Sequence, residues 1–251
     1  MTMGRGQSHT VRTSTRSSGF CAHILLEMLV LLFVCAIIPS PLMASMSDTT
    51  TSTVWILDNL SSIGGHPVTV VGEPVVKALD IGTAIVFDGN DDGLIVHGCP
   101  LDTAASFTIE ILFKPYAAFP SNVEQRFLHI QHPQRDRRRV LVELRLTDSD
   151  KWFIDTHIRA DSSSLTCLAD HFPHPVEEWY HVAFVYEKGT ARHYVNGVEE
   201  MSGQVPYVPV ENAQVSLGMR MNKKWFFKGA IRAVSMTRRA LRPEAFVLSG
   251  S

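Results

Sequence analysis

The sequence predicts an all-β chain, a two-sheet antiparallel jelly-roll sandwich, and three observations predict it. From residue 53 onward, short runs of β-branched and aromatic residues recur between clusters of Gly, Pro, Asn and Asp, the pattern of many short strands joined by turns. No stretch in that region has the apolar spacing of a long amphipathic helix. Residues 178–197 read as a hairpin closed by a second tight turn. A single all-β domain of about 200 residues suits a jelly roll of two sheets.

Residues 178–197 organise the rest. Trp179, His181, Ala183 and Val185 alternate with Tyr180, Val182, Phe184 and Tyr186. Both sets are largely apolar, so this strand should be covered on both sides. Arg192 and Tyr194 alternate with Ala191, His193 and Val195, as on a half-buried strand. Asn196-Gly197 supplies the two φ > 0 positions of a type I′ turn, which folds Val198-Glu199-Glu200 back on that strand.

The other elements follow in order. The domain starts at Thr53, and after the turn at Gly64-Gly65 a strand is expected over 68–71. Residues 72–82, with Pro74, read as a loop. A strand over 84–87, the sharp turn Asp88-Gly89-Asn90-Asp91-Asp92-Gly93 and a returning strand over 94–97 come next. Residues 106–115 set Phe107, Ile109, Ile111 and Phe113 on one face and Thr108, Glu110, Leu112 and Lys114 on the other. Residues 126–131, 140–146 and 151–159 form a three-strand meander, and 164–169 a further strand. Residues 214–219 and 225–236 are the closing strands, and 239–246 a short helical turn with Pro243 in its first turn.

The first 44 residues resemble a secretory signal peptide. Arg5, Arg12 and Arg16 precede an apolar run over 24–38, then Pro39, Pro41 and the small-residue site ending at Ala44. The run is short for a membrane span, which needs about 20 apolar residues; an uncleaved signal anchor is the alternative. Residues 45–52 read as a disordered lead-in and 53–249 as the domain. These readings put the protein outside the cell, in the periplasm or on the cell surface. Cys21 and Cys35 would leave with the signal, and Cys99 and Cys167 remain either as a disulfide or as two buried thiols. A net charge of −2 argues against a nucleic-acid partner.

Several motifs occur in order: Phe87-Asp88-Gly89-x-Asp91-Asp92, Phe107-Thr108-Ile109-Glu110, Trp179-Tyr180-His181-Val182-Ala183, Tyr194-Val195-Asn196-Gly197, Phe227-Lys228-Gly229-Ala230-Ile231-Arg232 and Arg239-Ala240-Leu241. Together they resemble a laminin G-like domain of the concanavalin A-like lectin/glucanase superfamily, over most of the chain after residue 53. The resemblance implies curved antiparallel sheets and a domain that binds glycans or proteins; some relatives cleave glycans. Relatives usually carry an acid where this chain has Arg232, and the 135–139 segment looks particular to this sequence.

The candidate chemistry lies in four places. Asp88, Asn90, Asp91 and Asp92 cluster oxygen ligands that suit calcium, or else they cap the turn's own N–H groups. On the meander, His129 and Gln131, Glu143 and Arg145, and Asp155, His157 and Arg159 each fall on one side at period 2. If the sides coincide they make one polar patch, able to bind sugar hydroxyls or acidic groups, or simply a solvated face with cross-strand ion pairs. Arg137 and Arg138 belong to a basic hairpin loop that could meet a sulfated or carboxylated polysaccharide. Glu110, Glu143 and Asp155 sit on separate strands, without the Glu-x-Asp-x-x-Glu run of the glucanase relatives, and read as solvated. The reading is thus an exported, non-catalytic module for carbohydrate or a cell-surface partner. The alternatives are a polysaccharide-cleaving enzyme, using Glu110, Glu143, His129 or His157, and an adhesion domain that binds protein.

Overall fold

The computed structural model of the chain describes residues 52–249. The expected signal segment, most of the lead-in, and Cys21 and Cys35 lie outside those residues. In chain order the strands are β1 (Thr53–Ile56), β2 (Ser62–Ile63), β3 (His66–Val71), β4 (Val75–Leu79), β5 (Gly82–Asp88), β6 (Gly93–Val96), β7 (Phe107–Pro115), β8 (Glu124–His132) and β9 (Arg135–Leu146). They continue as β10 (Lys151–Ala160), β11 (Ser163–Leu168), β12 (His174–Pro175), β13 (Tyr180–Glu187), β14 (Thr190–Val195), β15 (Val198–Gln204), β16 (Gln214–Leu217) and β17 (Lys228–Thr237).

These strands form two antiparallel sheets. The eight-stranded sheet runs β15-β14-β13-β7-β17-β5-β4, with β1 also on β17. The nine-stranded sheet runs β11-β10-β9-β8-β16-β6-β3-β2, with β12 also on β10. The core lies between them, and its centre is aromatic because large rings span the roughly 10 Å gap between stacked sheets. Phe113 of β7 stacks on Phe127 of β8 at 4.4 Å, and Trp152 of β10 meets Phe113 edge-on at 5.1 Å. A polar bond also crosses the core, where Thr156 Oγ1 lies 2.9 Å from His193 Nδ1. Gly218 has φ +76°, and a β-carbon there would run into the Phe87 ring.

Most of the sequence expectations hold. Asn196 and Gly197 both have positive φ and close β14 onto β15. The meander is β8-β9-β10. Three details differ. The 72–82 segment is not all loop: β4 pairs with β5 as an edge strand, and Pro74 lies just before it, where no ladder N–H is lost. The basic segment 135–139 is the start of β9, so the hairpin turn is confined to Pro133-Gln134. Trp225 precedes β17, in a loop where it has φ +54°. The expected helical turn is a 3-10 turn, Pro243–Ala245.

The outer face of the eight-stranded sheet is covered by the chain's own C-terminal segment. Ala183, Val185 and Tyr194 pack against Leu241 and Phe246, and Leu112 and Ala233 against Leu248. The polar residues of β7 fasten that cover. The Leu241 N–H donates to Thr108 Oγ1 at 2.8 Å, and the Leu248 N–H donates to Glu110 Oε2 at 2.9 Å. His181 Nε2 also reaches Glu110 Oε2, at 3.0 Å. Glu110 is therefore not a solvated strand position, and it does not line a groove: it is fully buried under the tail.

Candidate functional site

The outer face of the nine-stranded sheet is different. Strand register sets its side chains in rows across β8, β9 and β10. Arg126 lies opposite Glu143, and Glu143 opposite Asp155. His129 lies opposite Leu141, and Leu141 opposite His157. Gln131 lies opposite Arg139, and Arg139 opposite Arg159. The sides expected to coincide do coincide, bringing His129, Gln131, Glu143, Arg145, Asp155, His157 and Arg159 onto one surface.

Arg126 joins that surface through a β-bulge. From Gln131, period 2 would put Phe127 on the polar face. The register shifts between Arg126 and Leu128, so Phe127 enters the core and Arg126 turns outward. A bulge re-aims one side chain in this way. Arg126 then lies 2.8 Å from Glu124 and 3.1 Å from Glu143, the second contact being an ion pair out of hydrogen-bond alignment. Arg145 completes the network, with Nε 2.9 Å from Asp155 Oδ2 and Nη1 on Glu124.

Arg126, Glu143, Arg145 and Asp155 line a recess of about 150 Å³ together with Arg139, Leu141, His157, Thr166 and Arg220. That volume falls below the roughly 300–1,000 Å³ of pockets that enclose a drug-sized ligand, so it holds one ring or one charged substituent. The acids are not solvated, contrary to the sequence expectation: Asp155 is 1% exposed and Glu143 6%. The neighbouring strand β11 and the loop over residues 219–225 wall the meander, so water is displaced from their oxygens. Burial pushes the Glu143 carboxyl up to about 7; Asp155 adds to the rise and Arg126 opposes it. Burial also raises Asp155, against the pull of Arg145. Burial, followed by the charges of Arg139, Arg220 and Arg159, holds the His157 ring down to about 4.

Several buried polar atoms here have no protein partner: Asp155 Oδ1, His157 Nε2, Arg139 Nε and His129 Nε2. His157 is oriented from its other nitrogen, with Nδ1 2.9 Å from Thr166 Oγ1. His129 is different: it is fully buried and accepts the Met221 N–H at its Nδ1, 3.0 Å away, so it supports the covering loop rather than meeting a ligand. Gln131 is also largely buried, at the edge of the surface. Trp225 stands beside the recess with the Arg126 guanidinium 4.5 Å and the Arg220 guanidinium 5.2 Å from its ring centroid. Its backbone is fixed by the Arg126 N–H, which donates to the Trp225 carbonyl at 2.9 Å. Positive φ in so bulky a residue costs energy and marks a segment held in place by its surroundings.

The remaining candidates separate from this surface. Arg137 is exposed, and Arg138 pairs with Asp161 at 2.9 Å. They border a larger hollow of about 460 Å³ at the hairpin end. Its charges are mixed and exposed or half-buried, and none of the orphaned buried atoms of the recess belongs to its lining residues. The smaller recess is therefore the better-built site. Asp88, Asp91 and Asp92 offer oxygens within 4.8 Å of one another, a donor set chemically suited to calcium. Asp92 accepts the Glu73 and Asp88 N–H groups at 2.6 and 3.0 Å, and Asp88 accepts from Asn90 at 2.8 Å. The carboxylates thus cap the turn, as the alternative reading has it. Cys99 and Cys167 are free thiols: Cys99 lies after β6, whereas Cys167 is opposite Thr156 in β11, at the other end of the same sheet.

Sequence reasoning missed Glu124, Arg126, Arg220 and Trp225, and placed Arg139 in the basic hairpin segment rather than on the polar face. Arg139 continues the 141-143-145 alternation and would have appeared had β9 been extended backward. The bulge hides Arg126. Arg220 and Trp225 come from a loop, where no periodicity operates.

The comparisons agree with this fold. A laminin G family profile, described as the concanavalin A-like lectin/glucanases superfamily, matches residues 88–245. No curated protein matches the sequence. Among solved structures, domain 4 of AbnA, a GH43 extracellular arabinanase from Geobacillus stearothermophilus, in complex with arabinotriose, is similar with a TM-score of 0.59 and 21% identity, over 76% of this chain and 94% of that one. The binding domain of botulinum neurotoxin DC in complex with SialylT gives 0.57 and 10%, over 77% of this chain and 49% of that one. The type G botulinum neurotoxin receptor binding domain gives 0.55 and 11%, over 76% and 48%. The chain thus spans about half the length of the botulinum domains, and at these identities the likeness is one of fold. The chain belongs to the concanavalin A-like lectin/glucanases superfamily.

Proposed function

We propose that this member of the superfamily is an exported, non-catalytic module that binds carbohydrate on the outer face of its nine-stranded sheet. One observation carries the reading: the recess between Arg126, Glu143, Asp155 and His157 is lined by buried polar atoms whose hydrogen-bonding capacity the protein leaves open. Buried polar atoms in native structures are normally paired, and a few convergent ones beside an aromatic wall are what a sugar-sized ligand requires. The saccharides named with the arabinanase domain and with the botulinum domain support the same class of ligand.

A glycan array with the secreted chain tests this, run with calcium and with chelator. Saturable binding to a defined glycan is expected, lost in H157A and W225A and indifferent to chelator. Silence across the array would overturn the reading. A polysaccharide-cleaving enzyme is the second reading, favoured by one observation: Glu143, raised to about 7, lies opposite the second carboxylate of Asp155. Against it, Asp155 is held by Arg145 and Glu143 by Arg126, which commits both carboxylates to ion pairs rather than to acid and base work. Shortened products from the bound glycan, abolished in E143Q, would move the assignment to enzyme.

A further inference from the structure

We propose that the recess selects an acidic saccharide and that Arg139 and Arg220, with Arg159 at the margin, hold its carboxylate or sulfate. The inference rests on the carbohydrate reading above and names the ligand's chemical class. The charges lining the recess are the guanidinium groups of Arg126, Arg139, Arg145 and Arg220 and the carboxylates of Glu143 and Asp155, with Arg159 opposite Arg139 and Glu124 paired to Arg126 and Arg145 beyond them. The acids are committed. Glu124 serves Arg126 and Arg145, Glu143 serves Arg126, and Asp155 serves Arg145. Among the described residues, Arg139, Arg159 and Arg220 have no carboxylate within ion-pair distance.

Arg139 is the decisive residue. Its Nη1 donates to the Asp136 carbonyl at 2.6 Å, which fixes the head group, while its buried Nε has no partner. A guanidinium that is half-buried, near two further cations and short of an acceptor, is costly unless an anion completes it. Burial and the like charges of Arg220 and Arg159 accordingly lower its proton affinity. The neighbouring His157 is neutral and can donate or accept at Nε2, and Asp155 Oδ1 can accept a hydroxyl. An anionic group on the arginines with sugar hydroxyls on His157 and Asp155 satisfies all of them at once. Bidentate contact with guanidinium is available equally to a carboxylate and a sulfate, so the two must be separated by experiment.

The test measures binding of the full chain to matched probes: oligogalacturonate against its carboxyl-reduced neutral form, and dextran sulfate against dextran. At least one acidic member is expected to bind at least ten-fold more tightly than its neutral partner, with affinity falling as salt rises. R139Q and R220Q are each expected to weaken it ten-fold or more, and R137Q, at the exposed hairpin end, to leave it unchanged. Preference for oligogalacturonate assigns a uronate and preference for dextran sulfate a sulfate ester. Equal binding of acidic and neutral members, still lost in W225A, would overturn the anion assignment and leave the carbohydrate reading standing. Acidic binding that survives R139Q and R220Q but fails in R137Q would also overturn it. No binding by any probe would overturn both. Circular dichroism and thermal midpoints of the variants separate lost binding from lost folding.

Discussion

The two outer faces of this sandwich start from similar materials and reach opposite ends. Each carries a buried glutamate and a histidine on neighbouring strands: Glu110 with His181 on the eight-stranded sheet, Glu143 with His157 nearby on the nine-stranded one. On the first, the chain supplies its own roof, and Leu241, Phe246 and Leu248 seal the pair while the Leu248 N–H completes Glu110. On the second, the loop bearing Arg220 and Trp225 forms a wall but not a lid, and arginines outnumber acids. The comparison teaches that buried charge alone does not mark a site. Here the mark is buried charge with a surplus of one sign and unfilled hydrogen-bonding positions.

The largest expected effect tests the covered face. In E110A, His181 Nε2 and the Leu248 N–H lose their acceptor within a sealed interface. The expected loss is about 3 kcal/mol of unfolding free energy, the usual scale for orphaning buried polar partners. Chemical denaturation measures it, and saccharide binding by the folded fraction should be unchanged. A loss of binding without loss of stability would reverse the roles given to the two faces.

Acidity gives the next effect. The His157 and His193 rings are held down to about 4, His193 by burial, and burial holds His129 well below its ordinary value. A lowered folded pKa contributes stability that is present above the unfolded value of 6.5 and lost as pH falls towards 4. Glu143, raised to about 7, acts in the opposite direction: its contribution is greatest below 4.5 and fades as pH rises through 7. Asp155, also raised, joins Glu143. Between pH 6.5 and 5 His157 and His193 outweigh Glu143, with a net loss of about 1–2 kcal/mol from these three groups on acidification, while His129 adds to the loss and Asp155 opposes it. Thermal melts across that window should show falling midpoints, and H157Q should flatten the curve. A midpoint that rises on acidification would mean that the carboxylates of the open face dominate.

The smallest effect is E143Q. It removes a charge that burial already disfavours and keeps the shape, so stability should shift by no more than about 1 kcal/mol at pH 8. Contrast with E110A is the useful quantity. Similar losses from both would indicate that the open face is a structural ion network rather than a site.

Much of this was legible in the sequence, for identifiable reasons. Alternation fixed β7, the meander and β13, and Asn196-Gly197 fixed a turn, because these signals depend only on neighbours along the chain. The polar side of β9 and β10 was read correctly by the same period. Burial of Glu143 and Asp155 was not, since it depends on what packs beside the meander. Arg126 was invisible because a bulge changes the period without changing composition. Glu110 looked like a solvent-facing strand residue because its cover, Leu248, lies 138 positions away.

The most direct measurement is a crystal structure of the chain with an oligosaccharide that binds it. The account predicts the ligand's charged group between Arg139 and Arg220, a hydroxyl on His157 Nε2 or Asp155 Oδ1, and a ring beside Trp225. A saccharide seated instead at the hairpin end by Arg137 and Arg138, or on the eight-stranded sheet in place of the C-terminal segment, would contradict it.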